Sequence, residues 1–126
     1  TATTVLIVED EPLIAMQLES LVTELGHAVV ATARTRAQAV EAFSRHAPGL
    51  VLADIQLADA SSGIDAVEQI LAMGEVPVVF ITAYPERLLT GERPEPTWLV
   101  TKPFGEDTVR AAISQALFFA AARPIG

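Results

Sequence analysis

Short apolar runs alternate with stretches of helical spacing along the whole chain, and that alternation leaves few architectures open. Val5–Val8 is a continuous apolar run closed by Glu9-Asp10-Glu11. A run of this kind fits a strand buried on both faces, as in a parallel sheet. Leu50–Ala53, closed by Asp54, and Pro77–Ile81, closed by Thr82, repeat the pattern. Thr97–Val100, closed by Thr101-Lys102, and the less apolar Ala28–Thr32 complete a set of five.

The intervening stretches read as helices. Ile14, Leu18, Leu21, Val22 and Leu25 share one face, with Pro12 in the first turn and Gly26 as the stop. Thr35-Arg36-Ala37-Gln38 is a capping box opening a helix to about Ala47, with Val40 and Phe43 toward the core, before Pro48-Gly49 breaks it. A loop of small and polar residues from Gln56 to Ser62 precedes a helix carrying Ile64, Val67, Ile70 and Leu71. Pro85 opens a short helix through Leu88 and Leu89, closed near Gly91 and followed by a proline-bearing loop, Glu92–Pro96. Val109, Ala112, Ile113, Ala116 and Leu117 mark the last helix.

Five strands alternating with five helices predict a single α/β domain over residues 1–126, a three-layer sandwich around a parallel sheet. Right-handed crossovers prune the topologies, and a flavodoxin-like strand order, 2-1-3-4-5, fits this length. The functional crevice of such a sheet lies outside the carboxyl ends of its strands. Glu9, Asp10 and Glu11 stand there after the first strand, Asp54 after the third, Thr82 after the fourth and Lys102 after the fifth. The predicted order makes these strands neighbours, so acids, a hydroxyl and a cation meet on one rim.

Clustered carboxylates repel unless a cation sits among them. Oxygen ligands without His or Cys favour a hard ion, Mg²⁺ or Mn²⁺, over zinc. A hard cation beside an aspartate, a lysine and a threonine hydroxyl suits phosphoryl transfer, with the carboxylate as nucleophile and the cationic groups sharing the charge on the phosphoryl oxygens. Lys102 is the only lysine among eight basic residues, which singles out that position. Cysteine is absent, excluding a disulfide framework, a thiolate metal site and a cysteine nucleophile. A net charge of -8 argues against direct binding to nucleic acid, no run is long enough to cross a membrane, and the Thr-Ala-Thr-Thr start lacks the pattern of a signal peptide. The expected setting is the bacterial cytoplasm.

Val5–Pro12, Val51-Leu52-Ala53-Asp54, Ile81-Thr82-Ala83 and Thr101-Lys102-Pro103-Phe104 resemble, in order and spacing, the motifs of the receiver domains of two-component response regulators, the CheY-like family. The resemblance covers essentially the whole chain. It implies a phosphoacceptor at Asp54, and Mg²⁺, with Mn²⁺ able to substitute, held by Glu9, Asp10, Asp54 and the backbone carbonyl of Gln56. It also implies contacts from Thr82 and Lys102 to the phosphoryl group, and a sensor histidine kinase or phosphotransferase as donor. Asp54–Asp59, Ser62–Asp65 and Phe80–Gly91 further resemble the receivers of alphaproteobacterial general-stress-response regulators. Those carry an N-terminal sigma-factor-like output domain that captures an anti-sigma factor, so the chain would be the excised regulatory half of a longer protein. The implied function is a phosphorylation-driven switch rather than an enzyme with a released product; the alternative is a degenerate receiver that only binds a partner.

Some positions depart from the family pattern. Leu57-Ala58 replace the usual Met-Pro, the loop to Gly63 reads one residue longer, and Leu99 stands where many receivers carry a switching aromatic, with Trp98 one place away. No ring can then swing toward Thr82, and the Tyr84–Gly91 segment is the expected mover. A phosphatase of the haloacid-dehalogenase type would need Asp-x-Asp after the first strand, where Glu9-Asp10-Glu11 stands. A flavin site would need a Ser/Thr/Gly-rich phosphate loop there. Glu11 reads as a helix-start acid, His27 and His46 as structural or surface residues, and Trp98 and Tyr84 as packing residues. Phe118-Phe119 reads either as core or as a contact for another domain or a second copy.

Overall fold

Each apolar run becomes a strand because its residues find a hydrophobic layer on both sides. In the computed structural model, which describes residues 2–88 and 97–122, the strands are β1 (Thr4–Val8), β2 (Ala28–Ala33), β3 (Leu50–Ala53), β4 (Val78–Thr82) and β5 (Thr97–Thr101). They pair in parallel in the order β2-β1-β3-β4-β5, the predicted flavodoxin-like topology. Successive side chains of a strand point to opposite faces. Leu6, Val8, Val51, Ala53, Val78 and Phe80 therefore share one core, and Val5, Ile7, Leu50, Leu52, Val79 and Ile81 the other.

Two helices cover each face. α1 (Pro12–Glu24) and α4 (Glu106–Ala122) bury Leu18, Leu21, Val22, Val109, Ile113 and Ala116 on one side. α2 (Arg36–His46) and α3 (Gly63–Met73) bury Ala39, Ala42, Phe43, Val67 and Ile70 on the other. Within α2, Phe43 reaches the core as expected, but Val40 is only half-buried. Ala39 and Ala42 take the inward positions, because small side chains let α2 sit close to α3.

The ends of the helices follow local chemistry. Gly26 adopts φ 91 after α1, a conformation that a side chain would strain. Thr35 caps α2 by accepting from the Gln38 amide at 3.1 Å. Only half of the predicted capping box forms, because the Gln38 side chain accepts from the Arg34 amide at 2.8 Å rather than from Thr35. The short helix expected from Pro85 is a single 3-10 turn, Pro85–Leu88, so the described residues hold four α-helices rather than five. Its predicted continuation through Leu89 to Gly91, and the loop Glu92–Pro96, lie outside the described residues.

Several single residues also resolve. Phe118 and Phe119 do not enter the core: both are exposed, and Phe119 meets the Trp98 ring edge-on at 5.5 Å. Trp98 packs on the α1/α4 side and Leu99 on the α2/α3 side. His27 is half-buried between α1 and β2, its Nδ1 accepting the Thr3 amide at 3.1 Å. His46 is exposed in the last turn of α2. No helix among the described residues is long and apolar enough to cross a membrane.

Candidate functional site

Parallel register builds the site. Val8 pairs with Ala53, so the next residues, Glu9 and Asp54, leave the sheet side by side, and the Asp54 amide donates to the Val8 carbonyl at 2.8 Å. On the other side Thr82 pairs with Thr101, and the Lys102 amide donates to the Thr82 carbonyl at 2.9 Å. The carboxyl ends of β1, β3, β4 and β5 thus deliver the predicted residues to one rim. Leu57 and the surrounding loop close over the α2/α3 side.

The lysine is the hub. Lys102 Nζ donates to Asp54 Oδ2 and to Glu9 Oε1, both at 2.8 Å, and all three side chains are at least nine-tenths buried. Asp54 Oδ1 accepts from the Ile55 amide at 2.6 Å, and Glu9 Oε2 from the Glu11 amide at 3.1 Å. Burial pushes the Glu9 carboxyl above its ordinary value, against the opposing pull of its hydrogen bond to Lys102. For Lys102, burial works toward a lower value, but the hydrogen bonds to Asp54 and Glu9 outweigh it and hold the ammonium above its ordinary range.

Glu9, Asp10 and Asp54 each bring an oxygen within 4.8 Å of the others, an arrangement that could hold a metal ion. Three carboxylates face one ammonium there, an imbalance that a divalent cation corrects. The donors are all oxygens, and Asp10 is half-buried at the open side, so the group fits a hard cation. Gln56 opens the loop after Asp54 and forms a bridge with Ser62; its side chain is exposed. Glu11 lies outside the cluster, exposed as the residue that precedes α1. Thr82 is fully buried; its Oγ1 accepts from the Tyr84 amide at 3.0 Å, which leaves its own proton to donate. It joins the rim through the backbone of Lys102 rather than through a side-chain bond.

Gly63 and the Ile55 amide contribute more to the site than the sequence reading assigned to them. The Gly63 amide donates to the Ile55 carbonyl at 2.6 Å, and a side chain at Gly63 would lie 1.7 Å from the Asp54 carbonyl oxygen. The only sequence trace of this is a glycine directly after Ser62, the residue that caps α3. The Lys102–Pro103 peptide is cis.

Known proteins carry the same arrangement of chain. The model of the response regulator receiver domain family matches residues 5–114. The phyllosphere-induced regulator PhyR of Methylorubrum extorquens is 66% identical over 119 residues, covering 94% of this chain and 45% of that protein. The solution structure of the Erythrobacter litoralis PhyR REC domain superposes with a TM-score of 0.91 at 70% identity, covering 99% of this chain and 96% of that one. The anti-anti-sigma factor PhyR of Bartonella quintana, crystallised in complex with the anti-sigma factor NepR, matches at 67% identity and a TM-score of 0.64, covering 94% of this chain and 49% of that one. The chain therefore spans about half the length of such longer relatives. With one family model matched over residues 5–114 and the strand order β2-β1-β3-β4-β5, the chain belongs to the response regulator receiver domains.

Proposed function

We propose that this domain is the switch of a stress-response regulator and takes a phosphoryl group onto Asp54 from a phosphohistidine of a sensor histidine kinase or phosphotransferase. The observation that carries the reading is the Lys102 ammonium, bonded at once to Asp54 and Glu9 inside a cluster of three carboxylates. In the transfer, an oxygen of the Asp54 carboxylate attacks phosphorus, the phosphorus–nitrogen bond breaks, and the imidazole nitrogen keeps the electron pair and takes a proton. The product is an acyl phosphate. Glu9, Asp10, Asp54 and the Gln56 carbonyl would hold Mg²⁺ or Mn²⁺, which when bound offsets the negative charge of the acids and the phosphoryl oxygens. Lys102 exchanges its bond to Asp54 Oδ2 for a phosphoryl oxygen. The Thr82 hydroxyl, whose oxygen accepts from the Tyr84 amide, donates its proton to another.

The modification adds charge and acceptor oxygens at the head of β3. Thr82 ends β4 and Lys102 directly follows β5, so their movement is felt by the 3-10 turn at Pro85–Leu88 and by the surface of β5 and α4, where Trp98, Phe118 and Phe119 lie. That surface is the bistable element that meets a partner. We read the chain as the regulatory half of a bacterial cytoplasmic protein whose other half is an N-terminal sigma-factor-like domain that captures an anti-sigma factor. The NepR complex of the Bartonella PhyR supports this.

Incubation with Mg²⁺ and acetyl phosphate tests the chemistry. The wild type gains the mass of one phosphoryl group, and Asp54→Asn gains none while keeping its circular dichroism spectrum. Labelling of a different carboxylate in the wild type would overturn the assignment, and a folded wild type that is never labelled would favour a receiver used only for binding.

A further inference from the structure

We propose that Gly63 is a positioning residue for Asp54: the missing side chain lets the first turn of α3 press against the Asp54 backbone and fixes where its carboxylate points. This rests on reading Asp54 as the phosphoacceptor. A Cβ built at Gly63 would lie 1.7 Å from the Asp54 carbonyl oxygen, 2.8 Å from its carbonyl carbon and 3.1 Å from Ile55 Cα. Contacts below 3.0 Å against backbone cannot be relieved by turning a side chain, so either α3 or the end of β3 must move. No other glycine among the described residues meets backbone atoms this closely.

The brace is built from both sides. The Gly63 amide donates to the Ile55 carbonyl at 2.6 Å, and the Ile55 amide donates to Asp54 Oδ1 at 2.6 Å. A single residue, Ile55, thus links the start of α3 through its carbonyl to the carboxylate through its amide. Ser62 holds that start in place by accepting from the Ile64 amide at 3.0 Å. The intervening loop turns through Ala60, at φ 64, and the Leu57 amide reaches the Ser61 carbonyl at 3.2 Å. The loop that reads one residue longer than usual therefore still returns its glycine to Asp54. On the far side of the carboxylate, Lys102 holds Oδ2 at 2.8 Å. With one oxygen held by the Ile55 amide and the other by the lysine, a shift of the backbone moves both contacts together.

Geometry is the currency of an in-line attack, and misplacement by about 1 Å can slow a reaction ~100-fold. Gly63→Ala is expected to move the Ile55 amide resonance and to slow Mg²⁺-dependent labelling of Asp54 by acetyl phosphate about 10- to 100-fold. Ile113→Ala, which opens the opposite core, destabilises the domain while keeping the labelling rate within about twofold of wild type. A folded Gly63→Ala with the Ile55 resonance in place and the wild-type rate would overturn the proposal. If Gly63→Ala does not fold, Ser62→Ala decides: it loosens the first turn of α3 without adding an atom. The proposal requires that it shift the Ile55 resonance and slow labelling several-fold, and no change in either refutes it. If the wild type is not labelled at all, the phosphoryl reading fails, while the Ile55 resonance still reports whether Gly63 positions Asp54.

Discussion

Removing the lysine should cost the domain more stability than removing the aspartate it bonds. In the wild type, Glu9 and Asp54 are nearly fully buried and share one ammonium at 2.8 Å from each. Lys102→Met keeps the aliphatic stem but leaves two buried carboxylates facing each other beside Asp10 without a cation. Stripping one partner from a buried ion pair typically costs about 3–5 kcal/mol, because the remaining charge has neither water nor a counter-ion. For a domain of this size that is a fall in Tm of about 10–20 °C. Asp54→Asn instead relieves repulsion and leaves the Lys102–Glu9 pair intact, so its Tm should fall little or rise. Two further arms isolate the cause. Lys102→Met with Glu9→Gln removes one of the stranded charges and should recover part of the loss, and millimolar Mg²⁺ should stabilise Lys102→Met more than wild type by binding only the folded cluster. Thermal melts followed by circular dichroism at neutral pH, with and without Mg²⁺, suffice. A cation-free Lys102→Met that melts within 2–3 °C of wild type would refute the argument, since that is the shift expected from about 1 kcal/mol or less.

Three other outcomes follow from features away from the rim. Burial holds the His27 imidazole below its ordinary pKa, so the unfolded chain takes the proton first; His27 contributes fully above about pH 6.5 and the contribution is lost as pH falls below that. Urea melts from pH 7 to 5 should therefore show wild type losing stability relative to His27→Gln, and parallel profiles would contradict this. Thr35→Ala deletes the cap on α2 and should lower unfolding free energy by about 1 kcal/mol in the same assay. Ala47 ends α2 at φ 45, where an L side chain is strained, so Ala47→Gly should stabilise by about 0.5–1 kcal/mol after allowing for the extra freedom of the unfolded glycine.

The topology was legible because its causes are local. Four of the five strands end in a chemically distinctive residue, and a parallel sheet with right-handed crossovers sends those ends to one edge. Glu9, Asp54, Thr82 and Lys102 could therefore be brought together from the order of the runs alone. What stayed hidden depends on distances that no pattern encodes. The sharing of Lys102 between two acids, the pressure of Gly63 on the Asp54 backbone and the use of Gln38 by Arg34 rather than Thr35 are set by a few tenths of an ångström in tertiary packing. Val40 misled because hydrophobicity outranks alanine in a periodic reading, whereas the α2/α3 contact selects for small size. Phe118 and Phe119 were ambiguous for a related reason. The last buried residue of α4 is Ala116, and beyond it apolar spacing no longer says which side is covered.

The division of the apolar interior into two compartments has a consequence for how such a chain can change over time. The strands form a wall, with α1 and α4 packed on one side and α2 and α3 on the other. Close packing transmits a change in volume to touching neighbours and little further, so substitutions in separate compartments combine almost additively, while those within one interact. Phe43 and Ile70 share one core and Leu21 and Ile113 the other, so changes couple within a core while neither core constrains the other. Sequence variation can then explore each layer by itself, with the rim carried along unchanged on the strands between them.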